Sequence, residues 1–142
     1  MSGDDRLSAA LAAEHAAIFG YGVLGPKLDG ALVDAARQAE IVHRNRRDVL
    51  MVRLTDKGRT PPPAEVSYDL PFAVTDRAAA LRLAVTLEEG CGAIWRLALP
   101  ETAGEERKLA LDALVDTAVR ATRWRRAAGT NPPTVAMPGV PN

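Results

Sequence analysis

The sequence predicts an all-α protein, a four-helix bundle with one long crossover between its second and third helices. Three observations carry that expectation. Ala and Leu, strong helix formers, dominate an apolar fraction poor in aromatics. Four segments carry apolar residues at spacings of three and four, the period of a helix with one buried face. The breaks between them run short, long, short, which is the connectivity of a bundle whose second and third helices are joined end to end.

The first helix is expected over residues 5–25, where Leu7, Leu11, Glu14, Ile18, Tyr21 and Gly25 form one seam interrupted by a carboxylate. Gly20, Gly22 and Gly25 lower helix propensity and suggest close approach by a neighbour. Gly25-Pro26 marks a turn. The second helix, over 29–57, has Asp29 as its expected cap and Lys57-Gly58 as its stop. Residues 58–74 then hold Pro61-Pro62-Pro63 and Tyr68-Asp69-Leu70-Pro71-Phe72, an extended connection with aromatic anchors. At ~3.3 Å per residue it reaches about 55 Å, enough to cross a ~40 Å helix from end to end.

Thr75 or Asp76 should cap the third helix, over 76–99, whose seam is Leu81, Ala84, Glu88, Cys91, Trp95 and Ala98. Thr102-Ala103-Gly104-Glu105 has a capping-box pattern for the fourth helix, over 103–128, with Leu111, Leu114, Ala118, Ala121 and Arg125 on its inner stripe. Residues 1–128 therefore read as one bundle domain. Residues 129–142, with four prolines, read as an irregular tail, docked or disordered.

Eighteen basic and eighteen acidic residues leave no net charge. Such a chain lacks the positive field of a nucleic-acid binder, although the arginines of the second and fourth helices leave a local anion surface open. Cys91, alone, rules out an internal disulfide and fits a reducing compartment. The acidic N-terminus is unlike a secretory signal, and no uninterrupted apolar run has the ~20 residues of a bilayer span. The expectation is a cytoplasmic protein without membrane contact.

The candidate site is polar and internal. Glu40, His43 and Arg47 follow the helical stripe that also carries Ala36, Leu50 and Leu54, so all three are expected to face inward. Glu14 and Glu40 are equidistant from the first turn, and Glu88 lies near the middle of the third helix. A Glu, a Glu-x-x-His and a further Glu at one height make up most of a carboxylate-bridged di-metal site, suited to iron or manganese. The fourth helix supplies no second Glu-x-x-His, and the other histidine, His15, flanks the first seam. The favoured expectation is that no cofactor is held and that Glu14, Glu40, His43, Arg47, Glu88 and Arg125 form a buried charge network. The alternative is a partial iron or manganese centre on Glu14, Glu40, His43 and Glu88, serving an oxidoreductase. Cys91, Trp95 and Trp124 are expected to be packing residues.

Several segments also resemble a known family. Ala13-Glu14-His15-Ala16-Ala17-Ile18-Phe19-Gly20-Tyr21-Gly22, His43-Arg44-Asn45-Arg46-Arg47-Asp48, Tyr68-Asp69-Leu70-Pro71-Phe72 and Arg120-Ala121-Thr122-Arg123-Trp124-Arg125 are similar to the ferritin-like domain family of unknown function found in actinobacteria. The resemblance runs over nearly the whole chain and implies the fold and a source group, with no catalytic assignment. Within the wider superfamily of iron stores and di-iron oxidases, the metal motif is matched only by Glu14, Glu40, His43 and Glu88. The expectation is a degenerate di-iron site in a non-catalytic binding or structural protein, a homodimer by analogy, with its protein or small-molecule partner open.

Overall fold

The computed structural model describes residues 1–141. Four long helices carry the described chain, without strands among those residues: α1 (Gly3–Leu24), α2 (Ala31–Asp56), α3 (Arg77–Ala98) and α4 (Gly104–Ala127). A single 3-10 turn, Gly25–Lys27, follows α1. The α1 helix packs against both α2 and α3, and α3 packs against α4.

Ends are set by local chemistry, not always by the expected residues. Ser2 caps α1 in a reciprocal box with Asp5, so the helix begins at Gly3, two residues before the expected start. Asp76 caps α3 by accepting from the Ala79 amide at 2.8 Å. Asp29 does not cap α2, because Gly30 takes the N-cap position with φ 55°. Thr102 likewise caps nothing at α4. Its hydroxyl turns back to the Ala98 carbonyl at 2.8 Å, and Ala103 is the N-cap.

The long connection crosses the protein beside α1. Pro62 meets His15 through its carbonyl at 3.1 Å, Tyr68 lies against Phe19, and Phe72 packs into the apolar cluster under the guanidinium of Arg82. Helix α3 can approach α1 closely because Gly20 has no side chain; a Cβ there would lie 2.6 Å from Leu87 Cδ1. The segment Gly3–Lys27 contains an 18-residue window apolar enough to cross a membrane by length and composition. Half of that window is buried here against the other helices.

The core falls into two apolar clusters. One, containing Leu7, Leu11, Leu50, Leu54 and Trp95, lies toward the N-terminus of α1. The other, containing Tyr21, Leu24, Leu81, Leu83 and Trp124, lies toward its C-terminus. Between them lies a layer of buried charge.

Candidate functional site: a buried charge layer between two apolar clusters

His43 is the centre of this layer. Ala36, Leu50 and Leu54 share its face of α2 and are buried, so the imidazole is carried inward with no exposed surface. Its Nδ1 is hydrogen-bonded to Oε2 of Glu14 on α1, and its Nε2 to Oε1 of Glu88 on α3 at 2.9 Å. Burial pushes the imidazole toward its neutral form. The two carboxylates more than offset that push, raising its pKa to about 9. His43 is therefore an imidazolium near neutral pH, with both ring N–H groups donating.

The two carboxylates are held in turn by indole, phenol and guanidinium. Trp95 Nε1 donates to Glu14 Oε1 at 2.9 Å. Tyr21 donates to Glu88 Oε1 at 2.6 Å and accepts from Trp124 Nε1 at 2.9 Å. A continuous hydrogen-bonded line thus runs from Trp95 through Glu14, His43, Glu88 and Tyr21 to Trp124, tying the lower cluster to the upper. Burial raises the Glu14 carboxyl, but the hydrogen bond and charge of His43, with Arg46 and Trp95, hold it below the usual carboxylate value. The Tyr21 hydroxyl is driven well up by burial and by the charge of Glu88, so it remains a donor.

Arg46 bridges this line to α4, donating to Glu14 Oε1 at 3.3 Å and to Asp116 Oδ2 at 2.8 Å. Arg120 forks onto Asp116 at 2.7 and 3.0 Å, and its Nη1 stands 3.7 Å from Glu88 Oε2. Although burial raises Asp116, the two arginines lower it overall. The layer holds three carboxylates (Glu14, Glu88, Asp116) and three cations (His43, Arg46, Arg120). Formal charge is balanced inside the fold. Glu88 Oε2 is buried without a hydrogen bond, with Arg120 Nη1 3.7 Å away.

Of the residues singled out in the sequence, Glu14, His43 and Glu88 meet here. Glu40 and Arg47 do not. Glu40 is partly exposed and accepts from Arg44 at 3.0 Å, while Arg47 donates to its neighbour Asp48 at 2.8 Å on the outer side of α2. The reason is geometric. Residues three and four away from His43 in both directions share its general side, and Ala39 and Arg46 lie on the half that turns toward α4, whereas Glu40 and Arg47 lie on the other. Arg125 is buried but pairs with Glu89, apart from the layer. Tyr21, Arg46, Asp116 and Arg120 were not read as members from the sequence. Trp95 and Trp124 are packing residues whose indole N–H groups also close the network. The inward indoles gave a signal, since a buried indole N–H needs an acceptor.

Cys91 is also buried, with its Sγ near the Ala13 carbonyl at 3.7 Å. One donor atom each of Glu14, His43 and Cys91 lies within 4.8 Å of the others. Burial pushes the Cys91 thiol well up, and the charges of Glu14 and Glu88 push it further.

The match to the family described as Domain of unknown function (DUF4439) spans residues 6–142. The chain belongs to this family. Its charge layer and its C-terminal segment both lie within the matched residues. A crystal structure of a conserved hypothetical protein, rv2844, from Mycobacterium tuberculosis is similar at 38% identity, with a TM-score of 0.85 over 88% of this chain and 96% of that one. No curated protein matches the chain.

Proposed function

We propose that this member of the family is a ferritin-like bundle acting as a non-catalytic binding or structural protein. In this reading a buried Glu-His-Arg network stands where the metal ligands of a di-iron relative would be. One observation carries the reading: two buried carboxylates, Glu14 and Glu88, and the half-buried Asp116 are already balanced by three protein cations. A di-metal centre needs carboxylates free to bridge and imidazoles with a lone pair to give. Here both nitrogens of His43 donate to carboxylates, Glu40 faces away, and α4 contributes Asp116 and Arg120 in place of a Glu and a His. These residues do not fit that centre.

The network's benefit is register. Each ion pair in the layer joins different helices except the Arg120–Asp116 fork, so a slip of one turn would strand a buried charge. The convergence of Glu14, His43 and Cys91 favours one rival reading, a partial iron or manganese centre in an oxidoreductase. That rival must deprotonate both His43 and Cys91. A cytoplasmic homodimer remains part of the proposal. The dimer is supported by Ile41, Val49 and Val52 on α2 and by Leu111, Val115 and Val119 on α4, which are exposed to solvent.

The deciding experiment is elemental analysis of tag-free protein expressed with added iron and manganese and then gel-filtered. The expected result is a folded helical protein with far less than stoichiometric metal. Stoichiometric metal that disappears in a folded His43→Ala variant would establish the oxidoreductase reading instead.

A further inference from the structure

The C-terminal segment docks on the groove between α3 and α4. Arg125 Nη1 donates to the Pro133 carbonyl at 3.3 Å. Gly139, at φ 81°, lies so close to α3 that a Cβ on it would stand 2.9 Å from Arg96 Cβ and 3.0 Å from the Gly92 carbonyl oxygen. Small residues on both helices, with Gly92 on α3 and Ala118 and Ala121 on α4, leave room beneath this strap. The result is a cavity of about 300 Å3, also walled by Thr117 and by Val135 and Val140 of the tail.

One end of the cavity carries a charge with an unusual partner. The Arg125 side chain is only 7% exposed, yet the carboxylate that answers it, Glu89, is 47% exposed and stands at the rim. A buried guanidinium needs a carboxylate. A rim glutamate can supply one and can also swing into water at little cost, leaving its place to another. In the charge layer Glu14 and Glu88 have no exposed surface, so neither can swing into water in this way.

We propose that this cavity binds a small monocarboxylic acid with an apolar body, its carboxylate on Arg125 in place of Glu89 and its chain beneath Val135 and Val140. At the ~30 Å3 that a water-sized group occupies, the space accommodates about ten non-hydrogen atoms, the size of an eight-carbon acid. The tail forms the roof. Glu88 of the charge layer also borders this cavity, but the proposed anion partner, Arg125, lies outside that layer and pairs with Glu89.

The test is titration of the full chain with sodium octanoate, followed by backbone amide NMR, with octan-1-ol as the uncharged control of equal length. Saturable shifts are expected at the amides of Gly92, Thr117 and Val140, with octanol binding at least about tenfold more weakly. Glu89→Gln removes the internal competitor and should tighten octanoate binding a few-fold. Arg125→Gln should weaken it by about tenfold or more. If that variant does not fold, Ala118→Leu, which fills the cavity from a half-buried position, should abolish binding while helix content is kept. Absence of saturable shifts at these amides, equal affinity for octanol, weaker binding in Glu89→Gln, or undiminished binding in folded Arg125→Gln or Ala118→Leu would each overturn the proposal.

Discussion

Glu88 and Glu89 are neighbours on α3 with opposite environments. Glu88 turns inward, loses all contact with water and shares its charge with His43, Tyr21 and Arg120 on three other helices. Glu89 turns toward the tail, keeps about half of its side chain in water and pairs with Arg125 alone. A helix turns about 100° per residue, so one step along the chain separates a closed layer from an adjustable cleft. The comparison shows where this protein is built to be rigid and where it can exchange partners. Charges that are buried on both sides fix helix positions, whereas a buried charge with an exposed partner leaves a place to be taken.

The hardest blow to the closed region is loss of its central cation. His43→Ala leaves Glu14 and Glu88 buried with only arginines to balance them, and we expect a loss of about 3–5 kcal/mol in urea unfolding. A loss below about 1 kcal/mol would mean that the layer is not held by its charges.

A comparable effect should appear with pH. The pKa of His43 is about 9 in the fold against about 6.5 unfolded, so the folded state holds this proton more tightly. Its stabilisation is fully present below pH 6.5 and is lost as pH rises through 9, which is worth about 3–4 kcal/mol at ~1.4 kcal/mol per unit. Glu14 acts in the opposite direction. Its depressed carboxyl stabilises the fold above the usual carboxylate range, and that contribution is lost in acid. Urea midpoints measured between pH 5 and 10 should fall toward the alkaline end in the native chain. That fall should be missing from His43→Ala.

Tyr21→Phe removes one donor from Glu88 and the acceptor of Trp124, for an expected loss of about 1–3 kcal/mol. The smallest effect should come from the outer face of α2. Glu40→Ala removes a partly exposed pair with Arg44, and double-mutant values for such pairs are about 0.2–1 kcal/mol. Equal costs for Glu40→Ala and His43→Ala would erase the distinction between inner and outer charge on this helix.

Much of this was legible before folding, and the failures have a common cause. Glu14, His43 and Glu88 could be found because each interrupts a run of apolar residues at helical spacing. Glu40 and Arg47 satisfied the same spacing and still lie outside. A single helix cannot tell which flank of its buried stripe meets the next helix. Arg46 was missed for the same reason, and Asp116 and Arg120 because they flank the apolar centre of α4 and are reached only by long side chains from α2 and within α4. The caps at Asp29 and Thr102 failed more locally. Gly30 and Gly104 each adopt φ 55° at the start of their helices, and these turns leave the expected side chains out of reach.

The sequence by itself determined that the chain is helical, where its four helices and long connection lie, and that carboxylates and a histidine must be buried at mid-height. These are consequences of periodicity, turn chemistry and composition, which act over a few residues. Only the tertiary structure decided which cations answer those carboxylates, and that the proline-rich tail roofs a cavity on α3 and α4. Both depend on which helix flanks face each other. That choice is made when all the helices pack together, because only then does a buried charge find or lack its partner.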